Sequence, residues 1–257
     1  MKSALFRSSA CAVALLLASA CGGREGGNQS GDTAADTTAS FTAAADALAA
    51  RLKSGVPAVS DPTVKAFEAE ASRALKTLGT PALPLRGFDS YDELCGKTAT
   101  IAGAYVNAGV EAAPEESRVE VMNRNATQYL DQLFTPLLFS AHCTAQHMPF
   151  IEKEAGSDVS AKSSALQQVR GGAYGQMNGL LQMAGAADLD PGRRARIADQ
   201  LAVDAPNFAF VFSQAQRQEL ATATESVRSN LPEGSRGQVD KIKAALTGAA
   251  CGPPCKM

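Results

Sequence analysis

Tryptophan is absent from this chain, and aromatic residues together make up only 5% of it. Apolar residues reach 45%, but much of that share is alanine. Alanine favours helix and buries little area per residue, so closely packed helices suit this composition better than a β-sandwich. No stretch keeps up a two-residue apolar alternation bounded by turns, so no sheet is predicted. A basic excess is missing too. The formal charge is −2, and removing the first twenty residues, with Lys2 and Arg7 and no acid, makes it −4. Without a basic face the chain lacks the electrostatic footprint of a nucleic-acid binder, and that class is excluded. No apolar run is long enough to span a bilayer. His-Glu-x-x-His, Gly-x-Ser-x-Gly, a phosphate loop and a dinucleotide fingerprint are all absent, so no catalytic residue and no cofactor is assigned.

What is present is helical period. The reading is an all-α fold, a compact bundle of about seven to nine helices, with residues 41–248 forming one domain. Its longest apolar stretch runs from Pro114 to His147 through Val119, Met122, Ala126, Leu133, Phe134 and Leu138. Pro114, Glu115 and Glu116 suit a first helical turn. Pro136 should kink this helix, and Met148-Pro149 should break it. Before it, Phe41–Lys53 forms a short helix, Asp61-Pro62 opens a second, and Ser90-x-x-Glu93 is a capping box for a third. After it, glycines 171, 175 and 179 lie on nearly one helical face, where a neighbouring helix could approach closely. Asp190-Pro191 caps the next helix, and Asp204–Phe212 is a compact apolar piece. Ser213-x-x-Gln216 and Ser235-x-x-Gln238 are capping boxes for the last two.

Residues 1–20 read as an export signal: a basic start, a short apolar run from Ala10 to Ala18, and small residues before Cys21. Leu17-Ala18-Ser19-Ala20-Cys21-Gly22-Gly23 resembles the lipobox of bacterial lipoprotein precursors, with Ala18 in place of the commoner leucine. That resemblance covers only the first two dozen residues. It implies that Cys21 is acylated, so that the mature chain is held at a membrane by its lipid. By the same resemblance, Gly22 after the cysteine implies sorting to the outer membrane rather than the inner. Ordinary cleavage at Ala18-x-Ala20, giving a secreted or soluble periplasmic protein, is the alternative. Residues 22–40 contain no large apolar side chain and read as a flexible linker.

Cys11 leaves with the signal, and four cysteines remain beyond Cys21: Cys95, Cys143, Cys251 and Cys255. An even number in an oxidising compartment implies disulfides, with three possible pairings. The expected one joins Cys95 to Cys143 and Cys251 to Cys255, because the first two lie on mid-domain helices and the others are close together in the tail, residues 249–257. The tail, Cys251-Gly-Pro-Pro-Cys255-Lys-Met257, offers a rival reading, since two thiolates and a thioether suit Cu(I). Its cysteine spacing resembles that of thioredoxin-like copper chaperones, which carry it on a βα turn that an all-α chain does not provide. His142 and His147, five residues apart, fall about 140° apart around a helix, a poor spacing for metal ligands. Arg193, Arg194 and Arg196 read as a solvated face, with an anionic partner as the rival. The expectation is a lipid-anchored envelope protein that binds or scaffolds, with the membrane and another envelope protein or cell-wall polymer as partners. A soft-metal or thiol-redox protein using the tail, and an enzyme with an unrecognised site, are the alternatives.

Overall fold

The structure is a computed structural model that describes residues 32–78, 88–112, 117–155 and 163–248. The signal, Cys21, Pro114–Glu116 and the whole tail with Cys251, Cys255 and Met257 lie outside these residues. Among the described residues the fold is all-α, with nine α-helices and no strand. They are α1 (Asp32–Leu52), α2 (Pro62–Leu78), α3 (Phe88–Val106), α4 (Arg118–Gln128) and α5 (Leu130–Ala155), then α6 (Ser163–Gly185), α7 (Pro191–Val211), α8 (Gln214–Ser226) and α9 (Gly237–Gly248). They gather into two compact units, one ending at Cys143 and the other beginning at Thr144.

In the first unit α1 packs against α2 and α3, and α4 against α3. Helix α1 begins nine residues earlier than Phe41, inside the stretch expected to be linker. The reason is a continuous buried stripe: Thr37, Phe41, Ala45 and Leu48 are each at most 3% exposed and recur at helical spacing. The Phe41 ring stacks on Phe139 of α5 at 4.9 Å and tilts against Phe67 of α2 at 5.6 Å, so three helices meet at three phenylalanines. Asp61 caps α2 by accepting from the Thr63 N–H at 2.9 Å, and its other oxygen accepts from Arg51 Nε at 3.0 Å. The α1–α2 corner turns at Gly55, whose φ of 119° favours glycine.

The described part of the stretch expected to be one helix, residues 117–147, falls in two helices. Ser117 caps α4 in a reciprocal capping box with Glu120, and α4 ends at Tyr129. The buried residues of α4 are Val121 and Asn125, whereas Val119 is 54% exposed. Asn125 sets this phase, because its amide donates to the carbonyls of Val106 and Ala108 at 2.9 and 2.7 Å, closing the end of α3. Helix α5 then runs through Pro136 and Pro149 without interruption. Each proline removes one helical N–H, and the packing of Leu133, Phe134, Leu138 and Phe139, all at most 2% exposed, outweighs that loss around Pro136. Ser90 is not a cap, because α3 already begins at Phe88.

In the second unit α7 packs against α6 and α9, and α8 against both α6 and α9. Asp190 caps α7 by accepting from the Arg193 N–H at 3.1 Å, with Pro191 in the first turn. The Asp204–Phe212 segment is the end of α7 rather than a separate piece, continuing through Pro206. Phe208 and Phe212 are fully buried and stacked 6.0 Å apart. Ser213 and Gln216 form a capping box that opens α8. Ser235 belongs instead to a short 3-10 turn, and α9 starts at Gly237. At the surface Arg228 bridges Glu225 and Asp240, and Lys243 also donates to Glu225.

Two of the three glycines singled out in α6 do not act as expected. A Cβ at Gly171 or Gly179 would meet no atom within 4 Å, so no neighbour approaches closely at either. A Cβ at Gly185 would instead lie 3.1 Å from Cγ1 of Val227. Gly179→Ala should therefore raise the unfolding free energy by up to about 1 kcal/mol, through helix propensity alone. Gly185→Ala should gain nothing or lose stability in the same denaturant titration, and an equal gain in both would contradict the packing described here. The Arg228 network carries a pH signature. Hydrogen bonds from Arg228 and then Lys243 hold the Glu225 carboxyl down at about 2, against an ordinary value of 4.5. A carboxyl depressed in the folded state contributes in full above the ordinary value and loses its contribution as pH falls towards the folded one. Thermal melts between about pH 5 and pH 2 should thus show a shallower acid decline for Glu225→Gln than for the parent.

Candidate functional site

Of the residues singled out from the sequence, the structure brings two together. Cys95 on α3 and Cys143 on α5 are joined by a disulfide, with Cα atoms 5.8 Å apart and a sequence separation of 48. Helical period places each there: Leu94, Thr98 and Ile101 are buried beside Cys95, as are Phe139, Ala141 and His142 beside Cys143. Cys143 is 4% exposed, and Cys95 is half-buried.

The histidines are not brought onto one face, because α5 carries both without a break. His142 is fully buried, its ring edge-on to Phe139 at 6.4 Å, and His147 is half-buried. Among the described residues no three His, Cys, Asp or Glu side chains gather closely enough to hold a metal ion. Arg193, Arg194 and Arg196 occupy the first turns of α7, where the first two are half-buried and only Arg196 is exposed.

A shallow hollow of about 400 Å³ lies along the seam of α1 and α3. Ala45, Ala49 and Gly96 leave it unfilled, and Asp46, Glu93 and Lys97 supply its charge. Lys97 Nζ sits 2.5 Å from the Asp46 carboxylate, and the Thr100 hydroxyl donates to the Gly96 carbonyl at 2.8 Å. The Lys97–Asp46 pair crosses the two helices, whereas the Thr100 bond lies within α3. Among the described residues, the lining of this hollow contains no histidine or cysteine.

One polar group in this unit is unusual. Tyr105 is fully buried, its ring 6.1 Å from that of Tyr129, and its hydroxyl has no hydrogen-bond partner among the described residues. Burial first, and then the charges of Glu68 and Asp61, push its hydroxyl up to about 12, so the phenol stays neutral at any physiological pH. Helical spacing from Leu94, Thr98 and Ile101 puts Tyr105 on the buried face of α3, but spacing holds no sign of how its hydroxyl is paired. Compared with known proteins, the chain matches no family model, no curated protein and no solved structure.

Two stability changes should separate the structural roles of these residues. Cys143→Ser should lower the unfolding free energy by about 4 kcal/mol, the chain-entropy value for a loop of this length, with reducing agent destabilising the parent to match. An unchanged melting temperature would mean that the crosslink carries no load. Tyr105→Phe should leave the melting temperature level or raise it, since a buried hydroxyl without a partner costs on the order of 1 kcal/mol or more. A clear loss would mean that the hydroxyl is bonded.

Proposed function

We propose that the chain is a lipid-anchored protein of the bacterial cell envelope that acts by binding or scaffolding rather than by catalysis. The observation that carries this reading is the segment from Leu17 to Gly23, with a basic start and an apolar run before it. Cysteine parity adds support. Once Cys11 leaves with the signal, Cys95 and Cys143 are joined and Cys251 and Cys255 lie four residues apart, so Cys21 is the odd thiol. Acylation consumes it.

The partners this reading implies are the membrane, through the lipid on Cys21, and an envelope protein or cell-wall polymer. Gly22 favours the outer membrane, facing the periplasm. Helix α1 begins at Asp32, so ten residues separate it from Cys21, a span of at most about 35 Å when fully extended. The first unit thus works close to the surface that anchors it, and a partner has to meet it there. The tail supplies the second reading: Cys251, Cys255 and Met257 would offer a soft metal two thiolates and a thioether, provided the two cysteines are free thiols.

Metabolic labelling with an alkyne-tagged fatty acid tests the anchor. The parent chain should take up label and fractionate with membranes, and Cys21→Ser should lose the label and leave the membrane fraction. A parent that is cleaved before Cys21 yet unlabelled and soluble would overturn lipid anchoring in favour of plain secretion.

A further inference from the structure

The crosslink of the first unit has a direction built into it. Cys143 is 4% exposed and follows the fully buried His142 on the inner face of α5. Cys95 is half-buried between exposed Glu93 and half-buried Lys97, and a Cβ on the neighbouring Gly96 would meet no atom within 4 Å. Cys95 is thus the more exposed residue of the pair, and a thiol has to be reached before it can exchange. The order of the chain agrees. Beyond Cys21, Cys95 is the first cysteine and Cys143 the second, so the native partner is the next thiol to emerge after the first.

We propose that this chain is a substrate of a dithiol–disulfide oxidase, and that Cys95 is the entry thiol and Cys143 the resolving thiol. The Cys95 thiolate attacks one sulfur of the oxidase disulfide, forming a mixed disulfide and expelling the other oxidase sulfur as a thiolate. The Cys143 thiolate then attacks the Cys95 sulfur, forming the Cys95–Cys143 bond and expelling the second oxidase thiolate. Two electrons and two protons pass from the chain to the oxidase, which leaves as a dithiol. The inference rests on the export reading only for where the oxidase is met.

The test uses the processed chain as isolated, reduced, with Cys251→Ser and Cys255→Ser to silence the tail. It is mixed with the disulfide form of a bacterial Cys-x-x-Cys thiol oxidase, quenched in acid and mapped by mass. Adding Cys143→Ser should trap the oxidase on Cys95, whereas adding Cys95→Ser should trap about tenfold less in the same time. In denaturant the two should trap equally. Should either variant fail to fold, a brief pulse of iodoacetamide on the reduced chain with both cysteines present gives the same reading, with Cys95 alkylated about tenfold faster than Cys143. Equal trapping under native conditions together with equal alkylation, or faster reaction at Cys143, would overturn the assignment. Both assays work on chain recovered from membranes or from the soluble fraction, so a failure of lipid anchoring would not be mistaken for a failure of this proposal.

Discussion

Helices built largely of alanine gain little from burying any one residue, and the first unit answers that shortage with a few strong junctions. One is the meeting of Phe41, Phe67 and Phe139, which brings α1, α2 and α5 to a single point. Another is the covalent bond between α3 and α5 at Cys95 and Cys143. The bond acts mainly on the unfolded chain, by closing a loop that would otherwise have to be ordered at full entropic cost. Between these junctions the Asn125 amide closes the end of α3, and the Arg51–Asp61 pair holds the α1–α2 corner. Remove the covalent bond, and the phenylalanine junction, the Asn125 bonds and a core rich in small side chains are left to offset the ordering of long helices.

The second unit meets the same shortage without a crosslink among its described residues. Phe208 and Phe212 concentrate the large apolar area at the end of α7. The Arg170 guanidinium reaches across from α6 to the carbonyl of Val211 at 2.7 Å, satisfying a last-turn group that the helix leaves open. Reciprocal capping at Ser213 and Gln216 then starts α8 within two residues of the end of α7. Short connections of this kind spend little chain on loops, which suits a unit with few large side chains to hold it.

Much of the architecture was legible because helical period and capping chemistry are local. Asp190-Pro191 and Ser213-x-x-Gln216 mark helix starts in both sequence and structure. The same four-residue signal misleads at Ser90, which lies inside α3, and at Ser117 it competes with Pro114–Glu116, which also suit a first helical turn. Period gives a face but not its phase where apolar residues are sparse. Val119 lies outside because α4 buries Val121 and the polar Asn125, whose partners are carbonyls at the end of α3 and just beyond it. The boundary at Cys143 and Thr144 carries no proline or glycine, since it falls within α5. For the site, cysteine count and compartment suggested which thiols to consider. The unpaired Tyr105 hydroxyl and the difference in exposure between Cys95 and Cys143 arise only when helices pack, and no spacing rule encodes them.

The account turns on the first unit being held covalently at Cys95 and Cys143 in the protein as the cell makes it. Differential alkylation measures that directly: the isolated chain is denatured with one isotopic form of an alkylating agent, then reduced and treated with the other, and each cysteine peptide is read by mass. Cys95 and Cys143 should carry only the second label. First label on either, in a substantial fraction of molecules, would show that the two thiols are free and that packing alone holds α3 to α5.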